Sequence, residues 1–111
     1  MKIKRGKAIK NDKDKPSMAL LPSASLLGIA KVFTYGETKY HAYNYKTGRG
    51  LDWDRPYSAC LRHLNAWNGG EDNDRETGYS HLDHAGACIM MLIDLVESGI
   101  GKDTRFKNDL H

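Results

Sequence analysis

Glu71, Asp72, Asp74 and Glu76 fall within six residues of one another, and three of the five histidines, His63, His81 and His84, bracket them. Negative charge at this density repels itself unless solvent, a cation or basic side chains offset it. Closely spaced oxygen donors suit Mg²⁺, Mn²⁺ or Ca²⁺ rather than zinc. The loop is not an EF-hand, because the twelve-residue register with its central Gly and terminal Glu is missing. His81 and His84 stand three apart, so a helix would put them on one face beside the incoming loop. His63 reaches the same place if the helices on either side of the loop pack antiparallel. One histidine is more often a structural residue than a ligand, and an acidic turn exposed between two helices is the plainer account of the charge. The seven residues taken together point to a metal and phosphate site.

Arg62, Lys39 and Lys15 are candidates to hold phosphate oxygens, and the N-terminus of a helix beginning at His81 offers a second place for an anion. Arg62 has the alternative of pairing with Asp83 or Glu71 at the surface. Tyr40, Tyr45, Trp53 and Trp67 offer faces on which a base could stack, although the spacing of Trp67 assigns it to a core. The Gly-rich phosphate loops and the Gly-x-Ser-x-Gly elbow are absent from the sequence, and neither cysteine has the polar neighbourhood of an activated thiol. Metal-assisted hydrolysis is the enzymatic class that remains.

The elements that must position these residues are helical. Ser23 or Ser25 can cap a helix carrying Leu26, Ile29, Ala30 and Phe33 at helical spacing, which Gly36 should end or bend. Glu37 to Asp52 is polar and aromatic without a period, and its tyrosines predict an ordered loop. Asp54 as N-cap with Pro56 in the first turn starts a second helix. Tyr57, Cys60, Leu61, Leu64 and Trp67 form its apolar face, and Asn68-Gly69-Gly70 stops it. Ser80 with Asp83 makes a variant capping box for a last helix from about His81 to Glu97, ending at Gly99. That helix is apolar almost all round, as expected of a central helix or one buried between copies of the chain. The expected fold is an all-α bundle of about three to four helices with a long ordered loop after the first. Residues 1–15 form a flexible basic arm, perturbed at most by a short strand at its start, 16–100 the helical domain and 101–111 a polar tail.

Length and composition agree with one small domain of 111 residues. The net charge of +3 conceals a split, since residues 1–15 hold seven Lys or Arg against two Asp and the rest nets −2. Such an arm suits contact with nucleic acid or nucleotide phosphates, though solvated N-terminal lysines are commonplace. Cys60 and Cys88 sit in apolar patterns and read as buried thiols. The longest apolar run, Ala85 to Val96, is too short to span a bilayer and contains Asp94. No signal-like segment follows the basic start, so a cytoplasmic protein without a membrane partner is expected.

A pattern runs through the chain from about Asp12 to Glu97. It consists of Lys15-Pro16, Leu20-Leu21-Pro22, Val32-Phe33-Thr34-Tyr35-Gly36, Lys39-Tyr40, Asn44, Trp53, Arg62-His63-Leu64, Ala66-Trp67, Gly70-Glu71, Asp74, Glu76-Thr77-Gly78 and His81-Leu82-Asp83-His84-Ala85. It resembles the phage-associated dATP/dGTP diphosphohydrolase family, and through it the all-helical nucleoside triphosphate pyrophosphatases of the MazG and MazZ kind. The resemblance implies cleavage between the α and β phosphates of a nucleoside triphosphate, with Mg²⁺ or Mn²⁺ held by helix-borne carboxylates. The wider group pairs Glu-x-x-Glu on one helix with Glu-x-x-Asp on the next. Glu71-x-x-Asp74 matches the second half, and no Glu-x-x-Glu occurs.

The expectations are therefore a metal-dependent pyrophosphohydrolase acting on dATP and dGTP, giving the monophosphate and pyrophosphate. Glu71, Asp74 and His63 are its expected catalytic residues. Glu71, Asp74, His81 and His84 would bind Mg²⁺ or Mn²⁺, and Lys15, Lys39, Tyr40, Asn44, Trp53 and Arg62 the substrate. In that scheme the ions neutralise the phosphates and acidify an attacking water, with Arg62 and Lys39 stabilising the charge that develops. A homo-oligomer is expected from the apolar last helix. The alternatives are a protein that binds or sequesters nucleotides without turnover and, resting only on the basic arm and the aromatics, a nucleic-acid-binding module.

Overall fold

The computed structural model describes residues 6–107, so the short strand expected at the very start of the chain lies outside the described residues. Among the described residues three α-helices carry the fold: α1 (Ser23–Lys39), α2 (Asp54–Asn68) and α3 (His81–Ser98). Two 3₁₀ turns, Met18–Leu20 and Asn44–Lys46, lie on the connections. Among the described residues extended pairing is limited to one isolated antiparallel bridge, Asn73 to Ser80. The protein is all-α, as its periodicity predicts.

Local signals explain both ends of α3, whereas α1 starts behind Pro22 without a side-chain cap rather than from Ser23 or Ser25 as N-cap. The Ser80 hydroxyl accepts the Leu82 N–H at 3.1 Å, which satisfies one of the unpaired donors at the start of α3. Gly99 closes α3 in the left-handed region at φ 66°, where glycine carries no Cβ penalty. α2 begins at Asp54 with Trp53 as its N-cap, one residue earlier than expected. α1 departs further, because it continues through Gly36 to Lys39. A helical glycine costs only about 1 kcal/mol, and the added turn is tied down by tertiary contacts: Tyr35 and Lys39 both donate to Glu76.

α3 packs against both α2 and α1. Its seam with α2 holds the buried Cys60, Ala85 and Cys88, flanked by Ala59 and Met91, and both thiols are free. Burial raises the Cys60 thiol and pushes Cys88 up to about 11, so neither ionises near neutrality. Against α1 the approach is set by glycine. A Cβ on Gly86 would lie 2.8 Å from Ile29 Cδ1, and one on Gly28 would run into the Asp83 carboxylate.

The segment after α3 folds back onto the start of α2, a contact that its polar composition does not announce. Trp53 donates its backbone N–H to Lys102 O at 3.0 Å and its Nε1–H to Ile100 O at 2.8 Å, and Asp54 N–H reaches Thr104 Oγ1. The outer faces stay uncovered. Leu26 and Leu27 on α1, Tyr57, Leu61, Leu64 and Trp67 on α2, and Ile89, Ile93 and Val96 on α3 are all exposed, so of the expected α2 face only Cys60 is buried and Trp67 is not the core residue its spacing suggests. Among the described residues no helix is long and apolar enough to cross a membrane.

Candidate functional site

The acidic loop between α2 and α3 is bound to its surroundings at nearly every step. Glu71 N–H bonds Ala66 O, His81 N–H bonds Asp72 O, and Asp74 N–H bonds Tyr79 O. Asp74 then closes the turn on itself, its Oδ2 accepting from the backbone N–H groups of Glu76 and Thr77 and from the Thr77 hydroxyl. Three of the four carboxylates find a partner: Glu71 beside Arg75 and His81, Glu76 beside Lys39, Asp74 beside His84, while Asp72 is exposed. The self-repulsion expected from sequence is offset in this way.

Above the loop three imidazoles converge. His63 comes from α2, while His81 and His84 come from the first turn of α3. His63 Nδ1 lies 2.9 Å from His81 Nδ1, and His81 Nε2 lies 2.8 Å from Glu71 Oε1. A carboxylate can only accept, so His81 donates from Nε2 and its Nδ1 lone pair faces His63. The Thr77 hydroxyl spends its single proton on Asp74 and therefore accepts from His84 Nε2–H, 2.7 Å away. The His63 and His84 rings stack at 4.5 Å between centroids, 9° from parallel. His81 is buried, and His63 and His84 are partly so.

Electrostatics follow from this packing. Burial lowers the His63 pKa, and the neighbouring His84 adds to the effect. Burial lowers His84 too, against the opposing pull of Asp74. For Asp74 burial works towards a higher pKa, but the hydrogen bonds from Thr77 outweigh it and hold the carboxyl below its ordinary value. At neutral pH the cluster is two imidazoles that resist protonation beside an ionised carboxylate. One ligand atom from each of His63, Asp74 and His81 lies within 4.8 Å of the others, a group able to hold a metal ion.

The cluster forms one wall of a cavity of about 760 Å³, a volume suited to a small organic ligand. His63, Asp74, Glu76, Thr77 and His84 make its polar side, and Phe33, Tyr45, Leu51, Ala87 and Met91 an apolar one. Lys39, Tyr40, Tyr43 and Asn44 also line it. The Tyr45 hydroxyl donates to Asp94 on α3, which also receives Lys46 Nζ at 2.8 Å. Burial, then the bond to Asp94, pushes the Tyr45 phenol up to about 12, so it remains a neutral donor. Those bonds pin the aromatic loop to the helix that carries His81 and His84.

The chain matches, over residues 5–105, a family model described as dATP/dGTP diphosphohydrolase, N-terminal. The chain belongs to that family. It is 31% identical over 97 residues to a dATP/dGTP diphosphohydrolase of Salmonella phage PMBT28. The aligned part is 87% of this chain and 32% of the phage protein, so the chain spans about a third of that relative's length. No solved structure matches it significantly.

Within this member of the family, the fold brings together most residues selected from sequence. His63, Asp74, His84, Lys39, Tyr40 and Asn44 line the one cavity, with Glu71 and His81 directly behind its polar wall. Trp53 is elsewhere, lining a second cavity with Tyr57 and Val96 beneath Arg105. Lys15 lies exposed at the end of a turn, its N–H bonded to Asp12 O, and Arg62 is exposed on α2 next to His63, outside the lining of the cavity. Thr77 and Tyr35 were not selected. Thr77 follows Asp74 by three residues, the spacing of a side-chain-capped turn, and Tyr35 stands one helical turn before Lys39; both signals are visible in sequence but too common to single out.

Proposed function

We propose that the domain binds a purine deoxynucleoside triphosphate in the cavity and hydrolyses it between the α and β phosphates, giving the monophosphate and pyrophosphate. The observation that carries this is the placement of His63, His84 and Asp74 on the lining of a cavity that also has apolar and aromatic lining, with His81 bonded behind them. A base suits Phe33, Tyr45 and Met91, and phosphates suit the polar wall with Lys39 nearby. The name of the phage relative, a dATP/dGTP diphosphohydrolase, supports the choice of substrate.

The donor set fits a divalent ion, since His63, Asp74 and His81 offer atoms close enough to share one. A divalent ion held there would supply positive charge to the phosphates and acidify a water. The chain's own groups do the rest. Lys39 neutralises a phosphate oxygen after leaving Glu76, Thr77 and His84 hold Asp74 in place, and Tyr40 and Asn44 line the space for the nucleotide. Neutral His84, with its Nδ1 lone pair available in the proton arrangement above, accepts a proton from the attacking water. A triphosphate substrate would suit work in the cytoplasm of a host cell.

Incubating the protein with each deoxynucleoside triphosphate and Mg²⁺ or Mn²⁺ tests this. Release of pyrophosphate with dATP or dGTP is expected, and its absence with every nucleotide rejects hydrolysis. A nucleotide-binding domain without turnover is the alternative, favoured by the absence of Glu-x-x-Glu and by the existing partners of Glu71 and Glu76. Retention of intact nucleotide without metal would identify it. The exposed apolar faces of α1 and α3 suit assembly with further copies of the chain, and sedimentation as a monomer would contradict that.

A further inference from the structure

We propose that His63, His81 and Asp74 form a site for a nitrogen-preferring transition-metal ion of the Zn²⁺, Co²⁺, Ni²⁺ or Fe²⁺ class, with Glu71 acting behind it as the positioning residue for His81. The proposal rests on the cavity being a metal-dependent triphosphate site, and it names the metal class and moves Glu71 out of the ligand set.

Donor chemistry is the first ground. Two imidazoles and one carboxylate make the group, and imidazole nitrogens suit zinc, iron, copper and nickel, whereas Mg²⁺ requires near-octahedral oxygen ligation and gives up its waters reluctantly. Burial adds to the discrimination, because the His81 side chain is only 5% exposed and that of Asp74 19%. Little room is left for a retained hydration shell on that side.

Geometry is the second ground. The Nδ1 atoms of His63 and His81 point at each other across 2.9 Å. Ligands about 2.0–2.1 Å from one ion can be at most about 4.2 Å apart, so three atoms already within 4.8 Å of one another need to close only slightly. His81 is held from the far side by Glu71 at its Nε2. A carboxylate on the outer nitrogen fixes both the tautomer and the ring orientation of a metal-bound histidine. Glu71 Oε2 is meanwhile occupied by Arg75 at 3.3 Å, which leaves the Glu71 carboxylate directed away from the shared space.

The test uses the full chain, stripped with a chelator and titrated with Co²⁺ while its visible absorption is followed. The expected result is saturation at a single equivalent, displacement by Zn²⁺, and no competition from a large excess of Mg²⁺. His63→Gln and His81→Gln should lose the Co²⁺ spectrum. Glu71→Gln should keep its shape with affinity weakened about 10- to 100-fold, and His41→Ala, whose residue lines the cavity but lies outside the metal-binding group, should bind Co²⁺ as the parent does. Far-UV circular dichroism verifies that the variants fold, and where His81→Gln does not, His63→Gln decides. Equal competition by Mg²⁺, or an unchanged spectrum in His63→Gln, overturns the proposal. Hydrolysis supported by Mg²⁺ with no Co²⁺ site overturns this inference and leaves the proposed activity standing. A Co²⁺ site with no pyrophosphate release from any nucleotide does the reverse.

Discussion

His63 and His81 meet nitrogen to nitrogen at 2.9 Å across the seam between α2 and α3, although 18 residues and an acidic loop separate them. Two imidazole nitrogens at this distance share one proton or one cation. The proposed metal site is built on that contact.

Asp74 organises the loop below that contact by accepting three hydrogen bonds at one oxygen. Asp74→Ala should cost about 1–3 kcal/mol of stability, the price of leaving charge-assisted donors unpaired, and should abolish pyrophosphate release. Urea denaturation reads the first effect and a pyrophosphate assay the second. Wild-type stability together with wild-type turnover would refute both roles.

Stability of the metal-free protein should fall as pH drops. His63 faces His81 and His84 on α3 and Asp74 in the loop, with Arg62 beside it on α2, and its pKa is lowered by burial first and by His84 second. His84 is lowered by burial as well. The unfolded chain therefore takes up protons at these sites before the folded one does, and stability rises with pH in that range. The contribution is intact above the ordinary histidine value of about 6.5 and is lost as pH falls through the lowered folded values, with Asp74 adding a further loss at more acid pH. Denaturation midpoints at a series of pH values should show this slope, and the double variant His63→Gln, His84→Gln should flatten it.

Lys39 and Glu76 form an exposed pair at 2.7 Å, and Tyr35 donates to the same Glu76 oxygen. Exposed pairs add little to stability, so the effect of the pair should appear in kinetics. Lys39→Ala should raise KM about tenfold through the loss of one charged phosphate contact. Glu76→Gln should lower KM, because Lys39 no longer has to leave a carboxylate. Equal KM values in the parent and both variants would remove Lys39 from the substrate path.

Gly101 occupies φ 86°, and a Cβ there would run into the Leu51 carbonyl. Backbone cannot swing aside as a side chain does, so Gly101→Ala should destabilise the protein by about 1–3 kcal/mol. Gly86→Ala meets only the flexible end of Ile29 and should cost less. Thermal melts of the two variants compare them directly.

What the sequence determines by itself here is local. The face Tyr57, Cys60, Leu61, Leu64 and Trp67, the Ser80 cap and the glycine stops define α2 and α3 to within a residue or so, because helix periodicity and capping act over one or two turns. The concentration of histidines and carboxylates was equally legible, since it is a matter of composition. Tertiary structure decided which of them share a space. Glu71, matched by its motif to a ligand, stands behind His81, while His63 moves to the centre. Trp53, selected for a base, is spent on Ile100 and Lys102. α1 runs past Gly36 because partners 37 and 41 residues away hold its last turn. These outcomes depend on how helices cross and on what a folded-back segment covers, and a chain's local preferences do not encode contacts that exist only once distant elements are packed.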